Sequence, residues 1–398
     1  MLILGTPTST GRRTAWLLLP VLGFALGLFV APQLWRTTAP PAKPTPPPAP
    51  RPLPPASPLP LLQVSIEPDQ WAVLAKQQQQ ALAAGYLVQD DAAIVPATVR
   101  LGDEVAHGTA RLKGDLLDHI NTDQWSLRFD LSTPIAGRRR FSVMHPQTRG
   151  YVMEWLVMKT ARYMNVLAPR VDFVHVAING ADPKIYYLEE HASKELLESQ
   201  GRREGPIVRF DESAMWGTWL QYGFYRTGVL PPDVERAASF FDAKAEAFGE
   251  SSLQPLDVLN ERLLRALHQA RDLQSLAISQ ELAGQTVRQL LAIENLEGRT
   301  IDDLFAIDKL GKWLALTSFF GGVHGLLWNQ MRFYYDPVVD RLEPVVFDTG
   351  SSLPLQSLLI LLEPELRWFR SSPRVMAAAY QELGRMVEPG WIEGLRQA

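Results

Sequence analysis

Residues 321–351 read GGVHGLLWNQMRFYYDPVVDRLEPVVFDTGS, and this stretch contains two segments with the composition of β-strands. The segment 331–335 is rich in aromatic residues and 342–347 is largely apolar, so both predict β-strands. Turn-forming Asp and Pro residues separate them. The two strands should therefore form a hairpin that turns at Val338 and Val339.

This register places Asn329 opposite Asp348 at the open end of the hairpin. Opposed residues of an antiparallel pair have Cβ atoms roughly 5 Å apart, and amide and carboxylate oxygens suit a hard cation such as Mg²⁺. His324 lies five residues before Asn329, and Asp348 opens an Asp-Thr-Gly. Protein kinases show the same spacing between a base and a metal-binding Asn, followed by a metal-binding Asp. An ordinary hairpin with a polar end is the alternative.

The segment HGLLWNQMRFYYDPVVDRLEPVVFD resembles the last motif block of the CotH-like family, atypical kinases named after spore coat protein H. Three upstream blocks are similar to the same family: ARLKGDLLDH with WSLRF, FSVMHPQTRGYVMEW, and INGADPKIYYLEEHASKELLESQGRREGPIVRFDE. The resemblance implies an α+β, atypical protein-kinase-like domain. Such a domain would use ATP and Mg²⁺ to transfer the γ-phosphate to a hydroxyl of a protein or a cell-envelope polysaccharide.

The resemblance also implies roles for individual residues. Lys113 would hold phosphate oxygens, and Glu190 would orient this lysine. Asn329 and Asp348 would hold the metal, which makes Asp348 part of the catalytic set. His324 would take the proton of the acceptor hydroxyl, since an imidazole can accept a proton near neutral pH.

The sequence departs from the family pattern at two of its positions. Gln124 stands where the family has a basic residue before Trp125, and His324 stands where the base is usually an Asp. Both departures support a second hypothesis, a catalytically silent, pseudokinase-like domain that binds a partner or a cell-envelope polymer. A metal-dependent hydrolase would need more clustered His and Asp residues than this chain contains.

Three further carboxylates, those of Glu154, Glu189 and Glu190, each allow two interpretations. Residues 149–165 predict an amphipathic helix, and Glu154 on it is interpreted as a solvated surface residue, with a contact to Lys113 as the alternative. Glu189 and Glu190 are neighbours at a strand end, where they cannot both point inward. The family motif favours Glu190 as the residue that serves the site.

The N-terminal part predicts a membrane anchor. Residues 15–35 are apolar and uncharged and carry a Trp near each end, which fits a bilayer-spanning helix. Residues 1–14 would be cytoplasmic, and the proline-rich residues 36–60 would form an extended linker. The expected protein is thus a single-pass protein of a bacterial inner membrane, with its globular domain on the outer side. A cleaved signal peptide is the alternative.

Residues 61–398 are expected to form the kinase-like domain, with a helical subdomain at 212–295. The formal net charge of −4 and the absence of a long basic stripe argue against nucleic acid as a partner. The sequence contains no cysteine, which excludes disulfides, thiolate metal sites and thiol catalysis.

Overall fold

The computed structural model describes residues 59–210, 243–247, 301–326, 330–336, 338–350, 369 and 372–397. Seven strands close into a barrel in the order β1-β2-β3-β4-β5-β7-β6. Their bounds are Leu61–Ser65 (β1), Val95–Leu101 (β2), Glu104–Leu112 (β3), Leu127–Ile135 (β4), Arg138–Met144 (β5), Val171–Ile178 (β6) and Lys184–Glu190 (β7).

Strand β1 closes the barrel. It pairs with β2 in antiparallel fashion, with Leu62 facing Leu101, and with β6 in parallel fashion, with Leu61 facing His175. Residues of β1 alternate between buried and exposed, so Leu62 and Val64 enter the barrel core. The protein-kinase-like fold expected from the sequence is therefore wrong. Strand periodicity predicts strands but does not reveal that the first one pairs with a strand distant in sequence.

A second sheet of four strands has the order β11-β10-β8-β9. Its strands are Ile207–Phe210 (β8), Ala243–Ala247 (β9), Arg332–Asp336 (β10) and Arg341–Val345 (β11). The register predicted for the hairpin is confirmed, because Arg332 faces Val345 and Asp336 faces Arg341.

The helices cover the barrel and the second sheet. They are Pro68–Ala84 (α1), Val152–Tyr163 (α2), Lys194–Glu198 (α3), Ile301–Leu304 (α4), Ile307–Phe320 (α5), Pro373–Met386 (α6) and Pro389–Gln397 (α7). The middle of helix α5 is largely buried, and its Trp313 meets Phe333 of β10 and Phe369 edge-on. A second apolar core thus forms beside the barrel, separate from the one inside it.

The membrane topology expected from the sequence depends on segments that lie outside the described residues. The proposed anchor at 15–35, the segment 1–14 and residues 36–58 of the linker lie outside the described residues. The single-pass inner-membrane localisation expected from the sequence has no spanning helix within the ranges given above, because none of their helices is long and apolar enough to cross a bilayer. The helical subdomain expected at 212–295 also lies outside the described residues, apart from β9.

Alanine substitutions at two glycines of the barrel should reduce the stability of the protein by different amounts. A Cβ at Gly108 would lie 2.1 Å from the backbone oxygen of Asp130 on the neighbouring strand β4, whereas a Cβ at Gly102 would meet nothing within 4 Å. We expect Gly108→Ala to lower the free energy of unfolding by about 3 kcal/mol or more, because the clash is with backbone. Gly102→Ala should cost only about 1 kcal/mol, from its positive φ. Urea denaturation measures both, and equal losses would contradict the barrel geometry.

Candidate functional site

Four charged side chains from separate segments meet where the barrel contacts the second sheet. Lys113 directly follows β3, and Arg149 ends the short 3₁₀ turn Pro146–Arg149 after β5. Glu189 lies on β7, and Asp348 follows β11. Lys113 and Arg149 are each 7% exposed and Glu189 is 2% exposed. We refer to these four residues as the charged cluster.

Arg149 connects the two carboxylates of the charged cluster. Its Nε lies 3.0 Å from Oε2 of Glu189, and its Nη1 lies 3.2 Å from Oδ1 of Asp348. Burial alone would lower the pKa of the Arg149 guanidinium, but the neighbouring Asp348 and Glu189 outweigh it and raise the pKa above its usual value. Arg149 is therefore a permanent buried cation held by the barrel on one side and by Asp348 on the other.

Lys113 is buried beside that guanidinium. Its backbone N–H donates to the carbonyl of Ser126 at 2.9 Å. Its ammonium makes no hydrogen bond or ion pair within the part of the chain that the structure describes. Burial, followed by the positive charge of Arg149, lowers the pKa of Lys113 to about 7. A buried amine in this state is stabilised by an anion that approaches it.

The turn after Lys113 is shaped by a packed histidine. Gly114 has φ +103°, and a Cβ there would lie 2.3 Å from the ring of His119. His119 Nδ1 lies 2.9 Å from Oγ of Ser126. Burial, followed by the charge of Lys113, places the pKa of His119 well below its usual value. The imidazole is therefore neutral and keeps this loop in place.

Asp348 reaches the charged cluster from a left-handed backbone with φ +42°, which costs a non-glycine residue about 1 kcal/mol. Oδ2 of its carboxylate lies 3.8 Å from Nε2 of His324, whose side chain is 35% exposed. Burial would raise the pKa of Asp348, but Arg149, His324 and Lys113 together hold it well below its usual value. Asp348 therefore stays ionised at neutral pH. Asn329, the other predicted metal ligand, lies outside the described residues.

The prediction that Glu190 orients Lys113 does not fit the geometry. The carboxylate of Glu190 binds the guanidinium of Arg170, with contacts of 2.9 Å and 2.5 Å. Its neighbour Glu189 points to the opposite side of β7, where it meets Arg149. Of the two adjacent carboxylates, the structure thus brings Glu189 to the charged cluster.

The interpretation of Glu154 as a solvated residue is wrong, and so is the alternative contact with Lys113. Glu154 is 1% exposed and accepts hydrogen bonds from the backbone N–H and the hydroxyl of Thr349. Burial, followed by the negative charge of Asp348, raises the pKa of Glu154 to about 7. Helix α2 therefore contacts the segment next to Asp348.

The side chain of Gln124 contacts the backbone of strand β7. Its side-chain amide donates to the backbone carbonyl of Ile185 at 2.5 Å, which ties the loop before β4 to β7. The amide therefore serves the barrel at a position where the family pattern would have a phosphate contact.

Sequence reasoning missed Arg149, Glu189 as the inward carboxylate, Thr349 and His119. A usable signal was present, because all four lie within or directly beside the quoted motif blocks. The described residues contain no group of three or more His, Cys, Asp or Glu side chains that could hold a metal ion.

No protein-family model matches this chain. No curated protein matches it either. The resemblance to the CotH-like family thus stays a prediction from the sequence.

The buried amine predicts a specific pH dependence of stability. Because the pKa of Lys113 is lowered in the folded state, its burial penalty is full below about pH 7 and disappears as the pH rises towards the unfolded value of 10.5. We expect Lys113→Met to raise the free energy of unfolding at pH 6 by a few kcal/mol, and this gain should vanish near pH 10. Denaturant titrations at several pH values measure the difference from wild type. The exposed Lys76, changed to Met, is the control, and a pH-independent gain in Lys113→Met would contradict the prediction.

Proposed function

We propose that the charged cluster binds the phosphate groups of a nucleotide and that the protein transfers the terminal phosphoryl group to a hydroxyl. The observation that carries the proposal is Lys113, which is only 7% exposed and whose ammonium makes no hydrogen bond or ion pair among the described residues. A phosphate oxygen would supply the missing negative charge. Phosphoryl transfer depends mainly on such positioning and charge neutralisation, with little covalent chemistry by the protein.

Each member of the charged cluster has a role in this proposal. Lys113 binds a phosphate oxygen, and Glu189 orients Arg149 through their contact at 3.0 Å. Arg149 neutralises negative charge on the phosphates and keeps Asp348 ionised. Asp348 directs its carboxylate to the same place and is the described residue that fits a metal ligand.

The proposed metal is Mg²⁺, carried with the nucleotide. Magnesium in nucleotide sites usually takes one or two protein carboxylates and completes its shell with phosphate oxygens and water. Asp348 fits this requirement, because Oδ2 of its carboxylate has no hydrogen bond and no ion pair closer than the 3.8 Å to His324 among the described residues. When bound, the ion would neutralise charge between the phosphates.

The acceptor hydroxyl needs a proton acceptor, and His324 is the candidate. Its imidazole is partly exposed and lies beside the carboxylate of Asp348. Exposure allows an acceptor to approach, and a neutral imidazole nitrogen can take the proton. The carboxylate of Asp348 would stabilise the imidazolium that results.

A second candidate function is a non-catalytic domain that binds an anionic partner or polymer. The observation that favours it is the contact of 3.2 Å between Arg149 and Asp348, because a guanidinium already stands against the carboxylate that a metal would use. In this case the charged cluster would bind anions without turnover.

Nucleotide binding by the full chain tests the proposal. We expect a non-hydrolysable ATP analogue with Mg²⁺ to bind the wild-type protein in calorimetry. Lys113→Met should weaken binding by at least about ten-fold, since a buried charge-assisted contact is lost. Lys76→Met is the control and should bind as the wild type does. Binding that does not depend on Lys113 would contradict the proposed site.

Turnover separates the two candidate functions. We expect nucleotide hydrolysis, or transfer where an acceptor is found, to fall by about 10²–10⁴-fold in His324→Ala and to persist in His324→Asp. The control is His107→Ala, an exposed histidine on β3 that bonds Thr98. Nucleotide binding without turnover in the wild type would favour the non-catalytic domain.

A further inference from the structure

A carboxylate of helix α2 holds the residue next to Asp348. Oε1 of Glu154 accepts the backbone N–H of Thr349 at 3.0 Å, and Oε2 accepts the threonine hydroxyl at 2.5 Å. Glu154 is 1% exposed and Thr349 is 2% exposed. Both carboxylate oxygens are thus used on one residue, in a buried place where a hydrogen bond is stronger than in water.

The backbone on both sides of Thr349 has an uncommon conformation. Asp348 has φ +42° and Gly350 has φ +61°. A Cβ at Gly350 would lie 2.7 Å from Cβ of His324, so the chain passes closely under this histidine. Thr349 is the residue between two left-handed positions, and a fixed Thr349 determines in which direction the Asp348 side chain leaves the backbone.

The same short segment of chain also holds Asp348 directly. Arg149 stands just before α2 and contacts Oδ1 of Asp348 at 3.2 Å, while Glu154 lies in the first turn of α2 and binds Thr349. The start of α2 thus binds two successive residues of the loop after β11. Arg149 contacts the side chain that the proposed function uses, and Glu154 binds the backbone N–H and the hydroxyl of the residue beside it.

We propose that Glu154 is a positioning residue for Asp348: through Thr349 it keeps the Asp348 carboxylate directed at the charged cluster. This inference rests on the proposed function, because it assigns to Asp348 the task of meeting the metal-bound nucleotide. Glu154 itself touches neither metal nor nucleotide.

Variants of Thr349 test the inference with the least disturbance. Thr349→Ser keeps both hydrogen-bond donors, whereas Thr349→Val keeps the shape and the backbone N–H but loses the hydroxyl. Thr317→Val is the matched control, because Thr317 is also 2% exposed and donates its hydroxyl at 2.7 Å to the carbonyl of Trp313 within helix α5. Glu154→Gln changes the acceptor side of the same contact.

The readout is the affinity for the non-hydrolysable ATP analogue with and without Mg²⁺. We expect Thr349→Val and Glu154→Gln to weaken Mg²⁺-dependent binding by about ten-fold or more, as the loss of one hydrogen bond to a charged group would. Binding without Mg²⁺ depends on Lys113 and Arg149 and should change little. Thr349→Ser and Thr317→Val should resemble the wild type in both measurements. Equal losses with and without Mg²⁺, or none at all, would overturn the positioning role.

Hydrogen–deuterium exchange gives a second readout that does not need the nucleotide. In the full-length protein, Thr349→Val and Glu154→Gln should accelerate exchange in the peptide that covers residues 346–350, while Thr317→Val should leave it unchanged. Unchanged protection in both site variants would overturn the inference even if nucleotide binds. A wild-type protein that shows this protection pattern but binds no nucleotide would instead refute the proposed function and, with it, the task assigned to Asp348.

Discussion

The ion pair network of Arg149 is the interaction on which the rest of this structure depends. Its guanidinium is buried between Glu189 of the barrel and Asp348 of the segment after the second sheet. A buried ion pair is weak support for stability, because desolvation offsets much of the attraction, but the loss of one partner leaves an uncompensated buried charge at a cost of about 3–5 kcal/mol. The two sheets are thus joined by a contact that tolerates little change at Arg149.

The backbone directly after Arg149 has an unfavourable conformation. Gly150 has φ +59° and is followed by Tyr151 with φ +58°, a left-handed position for a bulky residue that is 56% exposed. Such a conformation persists where the surrounding contacts determine it. Here those contacts are Arg149 with Asp348 on one side of the turn and Glu154 with Thr349 on the other. The unfavourable backbone and the site geometry therefore belong to the same arrangement.

The charge balance of the site also explains the state of its titratable groups. Lys113 and Glu154 are buried with pKa values brought to about 7 from opposite directions, whereas Asp348 is kept ionised by the cations around it. Perturbed groups of both signs within one cluster are typical of functional sites, although buried ion pairs in structural networks show them too. The ammonium of Lys113, which has no hydrogen bond or ion pair among the described residues, distinguishes this cluster from a self-sufficient network, because a purely structural arrangement would satisfy it.

Interactions between residues close in the sequence determined several elements of this protein. Strand periodicity and turn residues predicted the hairpin and its register, and Pro68 with Gly85 predicted the limits of α1, because these signals act between residues that are close in the chain. The motif blocks also contained every member of the charged cluster.

Tertiary contacts decided the rest. The barrel closes only because β1 pairs with β6, and the choice between Glu189 and Glu190 follows from which side of β7 faces Arg149. Glu154 was buried by the loop that packs on its helix face, and no local pattern encodes which part of the chain will arrive there.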